Sequence, residues 1–422
     1  MTVGLVILAV ALAAAFYMAW TIGANDVANA MGTSVGSGAL TLVSALLLAA
    51  VFEFGGAVLV GASVTETISK GIIEIGLFER TGPLGEDGPM LLALGMICAL
   101  LASAIWLHAA THIGMPVSTT HSIVGAVFGI GIVSFGFRGV DWSTMGQIVA
   151  SWVISPLFGG ILAFLSFITV RRLILESPDP VAATRRYAPY IIGVVVAVMT
   201  LSFTYRVLSR RFEAPSAVLS ILIAAGLGAV VGVLAGAFIR ATRPARDAGA
   251  FNYVERVFAL LQITTACFIA FAHGANDVAN AIGPLAAVVT LHESGFTEVA
   301  GRVGVPLWTL LLGGGGIVLG LATLGHKVIA TIGRQITEIT PTRGFSAEFG
   351  AATTVLIASS LGLPISTTHT LVGGVIGVGF GHGIAALNLT TVRRIVTSWV
   401  ATVPVAAVVA AVLFVIARAL VL

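Results

Sequence analysis

The sequence predicts an all-α polytopic membrane protein with about twelve transmembrane helices in two inverted repeats, some of them broken or re-entrant. Three observations predict this fold: the composition, a series of uncharged apolar runs, and two motifs that each occur twice. Hydrophobic residues make up 58% of the 422 residues and charged residues only 9%. A soluble domain carries about 25% charged residues, so a soluble protein is excluded.

The apolar runs set the number of helices. A helix needs about 20 apolar residues to cross ~30 Å of hydrocarbon. The first run has no basic n-region and no small-residue cleavage site, which favours a permanent helix over a signal peptide. Some runs are short and contain glycine, which indicates broken helices. The runs are 3–22, 41–60, 90–110, 121–137, 145–170, 189–205, 216–239, 254–272, 303–324, 346–361, 369–387 and 395–420.

Two motifs are duplicated in the same order along the chain. The octapeptide GANDVANA occurs at Gly23–Ala30 and again at Gly274–Ala281. A hydroxyl-rich segment at Met115–His121 recurs in nearly the same form at Leu363–His369. Because the copies keep their order, we infer that a whole half-protein is repeated and not a single motif.

The repeats define three regions. We assign 1–170 to the first repeat, 171–251 to a central linker with two helices, and 252–422 to the second repeat. The arginine-rich segments 171–186 and 240–256 are expected on the cytoplasmic side of the cell membrane, which leaves both termini extracytoplasmic. An odd number of crossings in each repeat then makes the repeats inverted, a plan common among secondary transporters.

The hydroxyl motifs are typical of helix starts. Proline biases the residue before it away from helical geometry, and Ser or Thr after the break is a good N-cap. A helix N-terminus favours phosphate-like anions. Alternatively, these hydroxyls bond only to carbonyls of their own helix. Two such starts meeting at a two-fold axis would surround a tetrahedral oxyanion with Ser118, Thr119, Thr120, Ser366, Thr367 and Thr368.

The Asn-Asp motifs offer hard oxygen ligands suited to Na⁺ or H⁺. Asp26 and Asp277 would supply negative charge, and a charged residue within a membrane is costly unless it is compensated. We expect the motifs at helix ends, where unwound backbone carbonyls would add further ligands. A polar contact between helices is the simpler alternative. The neutral candidates, as cation ligands or donors to the anion, are Asn25, Asn29, Asn276 and Asn280.

The two kinds of motif depend on each other. A multiply charged anion cannot enter a low-dielectric site without compensation. No Lys or Arg lies within the main apolar spans near the motifs. Helix starts, hydroxyls and bound cations must therefore provide the compensation, which predicts cation coupling.

The paired GANDVANA and Pro-x-Ser-Thr-Thr-His motifs resemble those of the inorganic phosphate transporter (PiT) family of sodium-dependent phosphate symporters. The resemblance covers both halves. It implies twelve spans in inverted repeats, a central phosphate site, cotransported Na⁺ or H⁺, and homodimers. By matching position, Asn25, Asp26, Asn276 and Asp277 would serve the cations, and the six hydroxyl residues would hold phosphate.

Other polar residues in the apolar runs have open roles. Glu53 has Ile317 as its approximate counterpart, so a proton or cation role would break the symmetry. His121 and His369 could carry protons, since a free histidine titrates near neutral pH, or they are hydrogen-bonded helix residues. Gln262 lines the site or packs between helices.

Three rival functions are weighed against phosphate symport. A sulfate symporter would look the same, because both ions are tetrahedral oxyanions. An anion channel fits poorly with buried carboxylates. A membrane enzyme is disfavoured, because the sequence contains no Ser-His-Asp arrangement or metal-ligand cluster.

The clustered arginines do not form a nucleic-acid surface. Between coupling ions, the Asn-Asp clusters favour Na⁺ over H⁺.

Overall fold

The computed structural model describes residues 3–62, 72–79, 84, 87–204, 216–241, 249–299, 304–360 and 365–421. Across these residues the chain forms twelve α-helices, several short helical turns and one β-bridge between Ile73 and Val140. The helices are α1 (Val3–Gly36), α2 (Leu42–Val60), α3 (Gly88–His112), α4 (Thr119–Phe135), α5 (Trp142–Val170), α6 (Pro180–Phe203), α7 (Ala217–Ala241), α8 (Ala250–Glu293), α9 (Leu307–Arg334), α10 (Pro341–Ser360), α11 (Thr367–His382) and α12 (Leu389–Val421).

The predicted all-α polytopic fold is confirmed. Ten helices in the described residues, all except α10 and α11, are long and apolar enough to cross a membrane. The two exceptions have 20 and 16 residues and follow each other in the chain. A short turn of π-helix, Arg171–Leu175, extends α5 beyond its apolar stretch.

The expectation that the Asn-Asp motifs lie at helix ends is wrong. Helix α1 has 34 residues and α8 has 44, and each runs without interruption through its motif. Their backbone carbonyls therefore stay within the helix, and only side chains are available as ligands. The helix continues because the polar side chains find partners across helices, so the backbone does not need to open.

The helices pack in groups that mix the two halves of the chain. A central group contains α1, α2, α8 and α9. One flanking group contains α5 with α10 and α11, and the other contains α12 with α3 and α4. Each half thus contributes its fifth helix to the partners of the other half. The α6–α7 hairpin contacts the rest of the protein mainly through α6 and α8.

The first residue of each Asn-Asp motif permits a close approach between helices. A β-carbon on Gly23 would lie 1.9 Å from the carbonyl oxygen of Ile317 on α9. A β-carbon on Gly274 would lie 2.0 Å from the carbonyl oxygen of Glu53 on α2. The two contacts are equivalent under exchange of the halves, and small residues of this kind let membrane helices pack backbone to backbone.

Replacing Gly274 by Ala should destabilise the protein, because the new methyl group overlaps backbone that has no rotamer to change. Overpacking of this kind costs about 1–3 kcal/mol, so we expect a lower midpoint of thermal unfolding in detergent. The matched control is Gly55→Ala on α2, where a β-carbon meets nothing within 4 Å. Equal midpoints for the two variants would contradict the close contact.

Candidate functional site

Helices α4 and α11 begin at the hydroxyl motifs, as the sequence predicts. Ser118 and Ser366 have extended backbones, and the Oγ of each accepts a hydrogen bond from the N–H of His121 or His369 at 3.2 Å. These are N-cap bonds. Pro364 lies outside the described residues. The two serines are therefore caps of the helices, and their hydroxyl hydrogens can still donate to an anion.

The two aspartates of the Asn-Asp motifs converge on one histidine. Asp26 and Asp277 are fully buried, on α1 and α8. Their Oδ2 atoms lie 3.5 Å and 2.8 Å from Nε2 of His273. One ligand atom from each of the three residues falls within 4.8 Å of the others, a spacing that could hold a cation.

Asn29 connects the first aspartate to the opposite half of the chain. Its Nδ2 donates to Oγ1 of Thr368, at 2.8 Å, and to Oδ1 of Asp26, at 3.1 Å. Thr368 in turn donates to the same Asp26 oxygen at 3.3 Å. The motif on α1 is therefore joined to the start of α11.

Asn280 makes the equivalent connection from the second motif. Its Nδ2 lies 3.4 Å from Oγ1 of both Thr119 and Thr120, and 3.3 Å from Oδ1 of Asp277. Thr367 also donates to Asp277, at 3.4 Å. The structure thus gathers two aspartates, two asparagines and four threonines of the predicted set at one place.

Asn25 and Asn276 are used differently from each other. Nδ2 of Asn25 donates to Thr111 at 2.9 Å and to the carbonyl of Met115 at 3.0 Å, while its Oδ1 accepts from the N–H of Val117 at 3.1 Å. Asn25 therefore holds the non-helical segment before α4. Asn276 is only half-buried and donates to its neighbour Asp277 at 2.9 Å.

His273 is the site residue that sequence analysis missed. Its Nδ1 lies 3.4 Å from Oε1 of Glu53, so one imidazole faces three carboxylates, and all four side chains are buried. It directly precedes the second GANDVANA motif, where the first copy has Ile22. A histidine in place of an isoleucine, directly before an octapeptide that is identical in both copies, was the signal that could have identified it.

The cluster is rich in acceptors and poor in donors. In the described residues, the recorded ion pairs of these carboxylates all involve His273. Several buried oxygens accept no hydrogen bond there: Oδ2 of Asp26, Oδ1 of Asn29, Oδ1 of Asn280 and both oxygens of Glu53. Buried acceptors without donors are unusual, and hard oxygen atoms of this kind suit a small cation.

A small cavity adjoins the cluster. It has a volume of about 30 Å³ and is bordered by Asn29, His273 and Thr367 on its polar side. Side chains of α8, α10 and α11 form its apolar side. A space of this size accommodates roughly two water molecules or a bare cation.

The rings of His121 and His369 meet edge to face between two tryptophans. Their ring centroids are 4.4 Å apart, and the two ring planes are perpendicular. His121 lies 4.6 Å from the ring of Trp152, and His369 lies 3.8 Å from that of Trp399. This four-ring column joins α4 and α11 next to their starts and favours the packing interpretation of both histidines.

Glu348 forms a second buried polar cluster that the sequence did not reveal. It accepts hydrogen bonds from Thr33 at 2.5 Å, from Ser34 at 3.0 Å and from Gln262 at 3.3 Å. It also accepts one from Thr265. Gln262 thus belongs to this second cluster, away from His273. These four hydrogen-bond donors, none of them basic, compensate for the burial of the carboxyl group.

Comparisons with known proteins agree with this architecture. A model of the phosphate transporter family matches residues 22–410. The chain belongs to the phosphate transporter family. A Pyrococcus abyssi protein named "Putative phosphate permease" is 47% identical over 94% of both chains. The chloroplastic inorganic phosphate transporter 2-1 of Arabidopsis thaliana is 45% identical over 93% of this chain and 69% of its own.

A solved structure described as the sodium-dependent phosphate transporter has the same fold. Its TM-score is 0.88 at 41% sequence identity, and the match covers 99% of this chain and all of that one. The family named from the duplicated motifs is therefore confirmed, and the protein is a multi-pass membrane transporter.

Proposed function

We propose that the protein is a secondary active symporter that imports inorganic phosphate together with Na⁺ by alternating access. The observation that carries this proposal is the burial of Asp26 and Asp277 beside hydroxyl-bearing helix starts, with His273 as their ion-pair partner in the described residues. The sodium dependence in the name of the structural neighbour supports the choice of cation.

The electrostatics of the cluster require added positive charge. Each isolated carboxylate that is moved out of water costs several kcal/mol even after relaxation. A protonated His273 offsets one of the three carboxylates it faces. Adding phosphate increases the negative charge further, so the anion binds well only when cations bind with it.

The proposed phosphate ligands are the hydroxyls and first-turn N–H groups of α4 and α11. A helix start leaves N–H groups without intrahelical partners, and their partial charge favours phosphate. Asn29 and Asn280 donate to threonine hydroxyls, and the hydroxyls of Thr367 and Thr368 donate to the aspartates. When cations take the aspartate oxygens, these hydroxyls can turn to an anion. The cradle comprises Ser118, Thr119, Thr120, Ser366, Thr367 and Thr368.

The proposed cation sites lie at the two Asn-Asp motifs. Asp26 with Asn29 forms one set of oxygens, and Asp277 with Asn280 forms the other. Asn25 and Asn276 support these sites, since the amide of Asn25 is already engaged in holding the segment before α4. Proton coupling through His273 is the second candidate, because its imidazole contacts both aspartates and Glu53.

The packing suggests which parts move. The cation ligands lie on α1 and α8 in the central group, whereas the phosphate ligands lie on α4 and α11 in the two flanking groups. The glycine contacts join α1 to α9 and α8 to α2 too tightly for these pairs to slide. We propose that the flanking groups move against the central group, opening the site to alternate sides of the membrane.

The deciding experiment is uptake of labelled phosphate into proteoliposomes with Na⁺ and H⁺ gradients imposed separately. Concentrative uptake driven by the Na⁺ gradient is expected, with arsenate competing and sulfate competing weakly. Uptake driven only by the H⁺ gradient would show that the coupling ion is H⁺ and not Na⁺. Uptake indifferent to both gradients would indicate a channel, and strong sulfate competition would broaden the substrate to tetrahedral oxyanions.

Neutralising either aspartate should abolish coupling. In Asp26→Asn or Asp277→Asn the cation loses its charged ligand, and we expect the Na⁺-driven initial rate to fall by about tenfold or more, the effect of at least ~1.4 kcal/mol of lost binding. The matched control is Asp87→Asn, because Asp87 is exposed and its side chain makes no capping bond. Normal Na⁺-driven accumulation by both site variants would refute the cation assignment.

Removing one hydroxyl of the cradle should weaken phosphate binding. For Thr367→Val we expect the KM for phosphate to rise by about tenfold, because a hydrogen bond to a charged group contributes ~1.5–3 kcal/mol. Thr397→Val is the control, since that hydroxyl is exposed and bonds only to the carbonyl of Arg393 in its own helix. An unchanged KM in Thr367→Val would exclude this hydroxyl from the cradle.

A further inference from the structure

An apolar crevice runs along α8 beside the central hairpin. Its narrower part has a volume of about 330 Å³ and is enclosed by α6, α7 and the Tyr253–Thr264 stretch of α8. Its wider part, about 670 Å³, continues along α8 to Ala275 and reaches α2. The two parts adjoin each other, because Val196 and Thr264 line both of them.

The crevice is as long as the membrane is thick. Lining residues on α8 extend from Tyr253 to Ala275, which at 1.5 Å per residue is about 33 Å. The hydrocarbon core of a bilayer is ~30 Å thick. The narrow part alone, from Tyr253 to Thr264, covers about 17 Å, which is roughly the hydrocarbon thickness of one leaflet.

The polar groups inside the narrow part are already satisfied, with one exception. The hydroxyl of Tyr253 donates to the carbonyl of Ile239 at 2.9 Å, and that of Thr264 donates to the carbonyl of Leu260 at 2.9 Å. Arg256 is the charged residue of the lining. It is exposed and has no hydrogen-bond or ion-pair partner in the part of the chain that the structure describes.

The same end of the crevice carries more positive charge. The guanidinium of Arg185 on α6 lies 5.8 Å above the ring of Tyr253. Arg240 follows the lining residue Ile239 near the end of α7. The neighbouring acid, Glu255, accepts hydrogen bonds from Thr342 on both of its oxygens, each at 2.9 Å.

The dimensions favour a hydrocarbon chain over a protein helix. Spread along the Tyr253–Thr264 stretch, the narrow part has a cross-section on the order of 20 Å². A helix with its side chains is about 10–12 Å across and could not enter. A single acyl chain can, and basic pockets between helices at the cytoplasmic boundary are typical sites for anionic lipid headgroups.

We propose that this crevice is a binding site for one anionic phospholipid. Its phosphate group pairs with Arg256, with Arg185 and Arg240 nearby, and an acyl chain follows α8 between the helices of the hairpin. The wider part passes Ala272 and Ala275, which flank His273 in the sequence. The lipid therefore contacts the same helix that carries Asp277, and the wider part of the crevice shares Phe268 and Ala272 with the small cavity beside His273.

The test is titration of the purified full-length protein in detergent with phosphatidylglycerol or phosphatidylcholine, with bound lipid counted by native mass spectrometry. We expect one phosphatidylglycerol to bind about tenfold more tightly than phosphatidylcholine. Ala235→Trp, which fills the narrow part, and Arg256→Gln should each weaken this binding by about tenfold, or ~1.4 kcal/mol.

Two controls change the same residue types elsewhere. Ala237→Trp is exposed on the same helix, and Arg418→Gln is exposed near the end of α12; both should bind phosphatidylglycerol as the wild type does. If Ala235→Trp fails to fold, Arg256→Gln alone decides. Wild-type affinity in Arg256→Gln, or equal affinity for the two lipids, would overturn the proposal. So would Ala235→Trp changing the oligomeric state while keeping its lipid, because the crevice would then be an interface between copies.

Discussion

The structure is organised around the cost of burying carboxylates in a membrane. Asp26, Asp277 and Glu53 lie in the interior with His273 as their shared partner, and one imidazole can offset at most one ionised carboxylate. Threonine and asparagine donors from neighbouring helices reduce this cost without supplying net charge. The proposed binding of cations, and through them of an anion, follows from this arrangement.

The helix packing holds the aspartates and the hydroxyl-bearing helix starts in different groups of helices. Backbone contacts at Gly23 and Gly274 fix the helices that carry the aspartates. The hydroxyl-bearing helix starts, in contrast, belong to the flanking groups and reach the centre mainly through side chains. A boundary between tightly packed groups that passes through the ligand set is the arrangement that alternating access requires.

Much of this could be predicted from the sequence, because duplication exposes what a single copy would hide. The number of helices, the capped starts at Ser118 and Ser366, and the pairing of Asp26 with Asp277 all followed from repeated motifs and apolar runs. The unbroken backbone of α1 and α8 could not be predicted. The polar residues of the two motifs suggested a break in each helix, but their side chains form hydrogen bonds to other helices and the backbone stays helical. Glu348 was also missed, since its four donors come from α1 and α8, far away in the sequence.

The two halves of the chain differ at the positions of His273 and Glu53. Where the second half has His273, the first has Ile22, and where the first half has Glu53, the second has Ile317. Two chemically identical halves that exchanged shapes would give an unloaded carrier equal preference for either side of the membrane. With a histidine–glutamate contact on only one side of the axis, that degeneracy is lifted. Under the proposed alternating access, the empty protein would therefore prefer one orientation at rest, and that preference would be set by its sequence and not by an ion gradient.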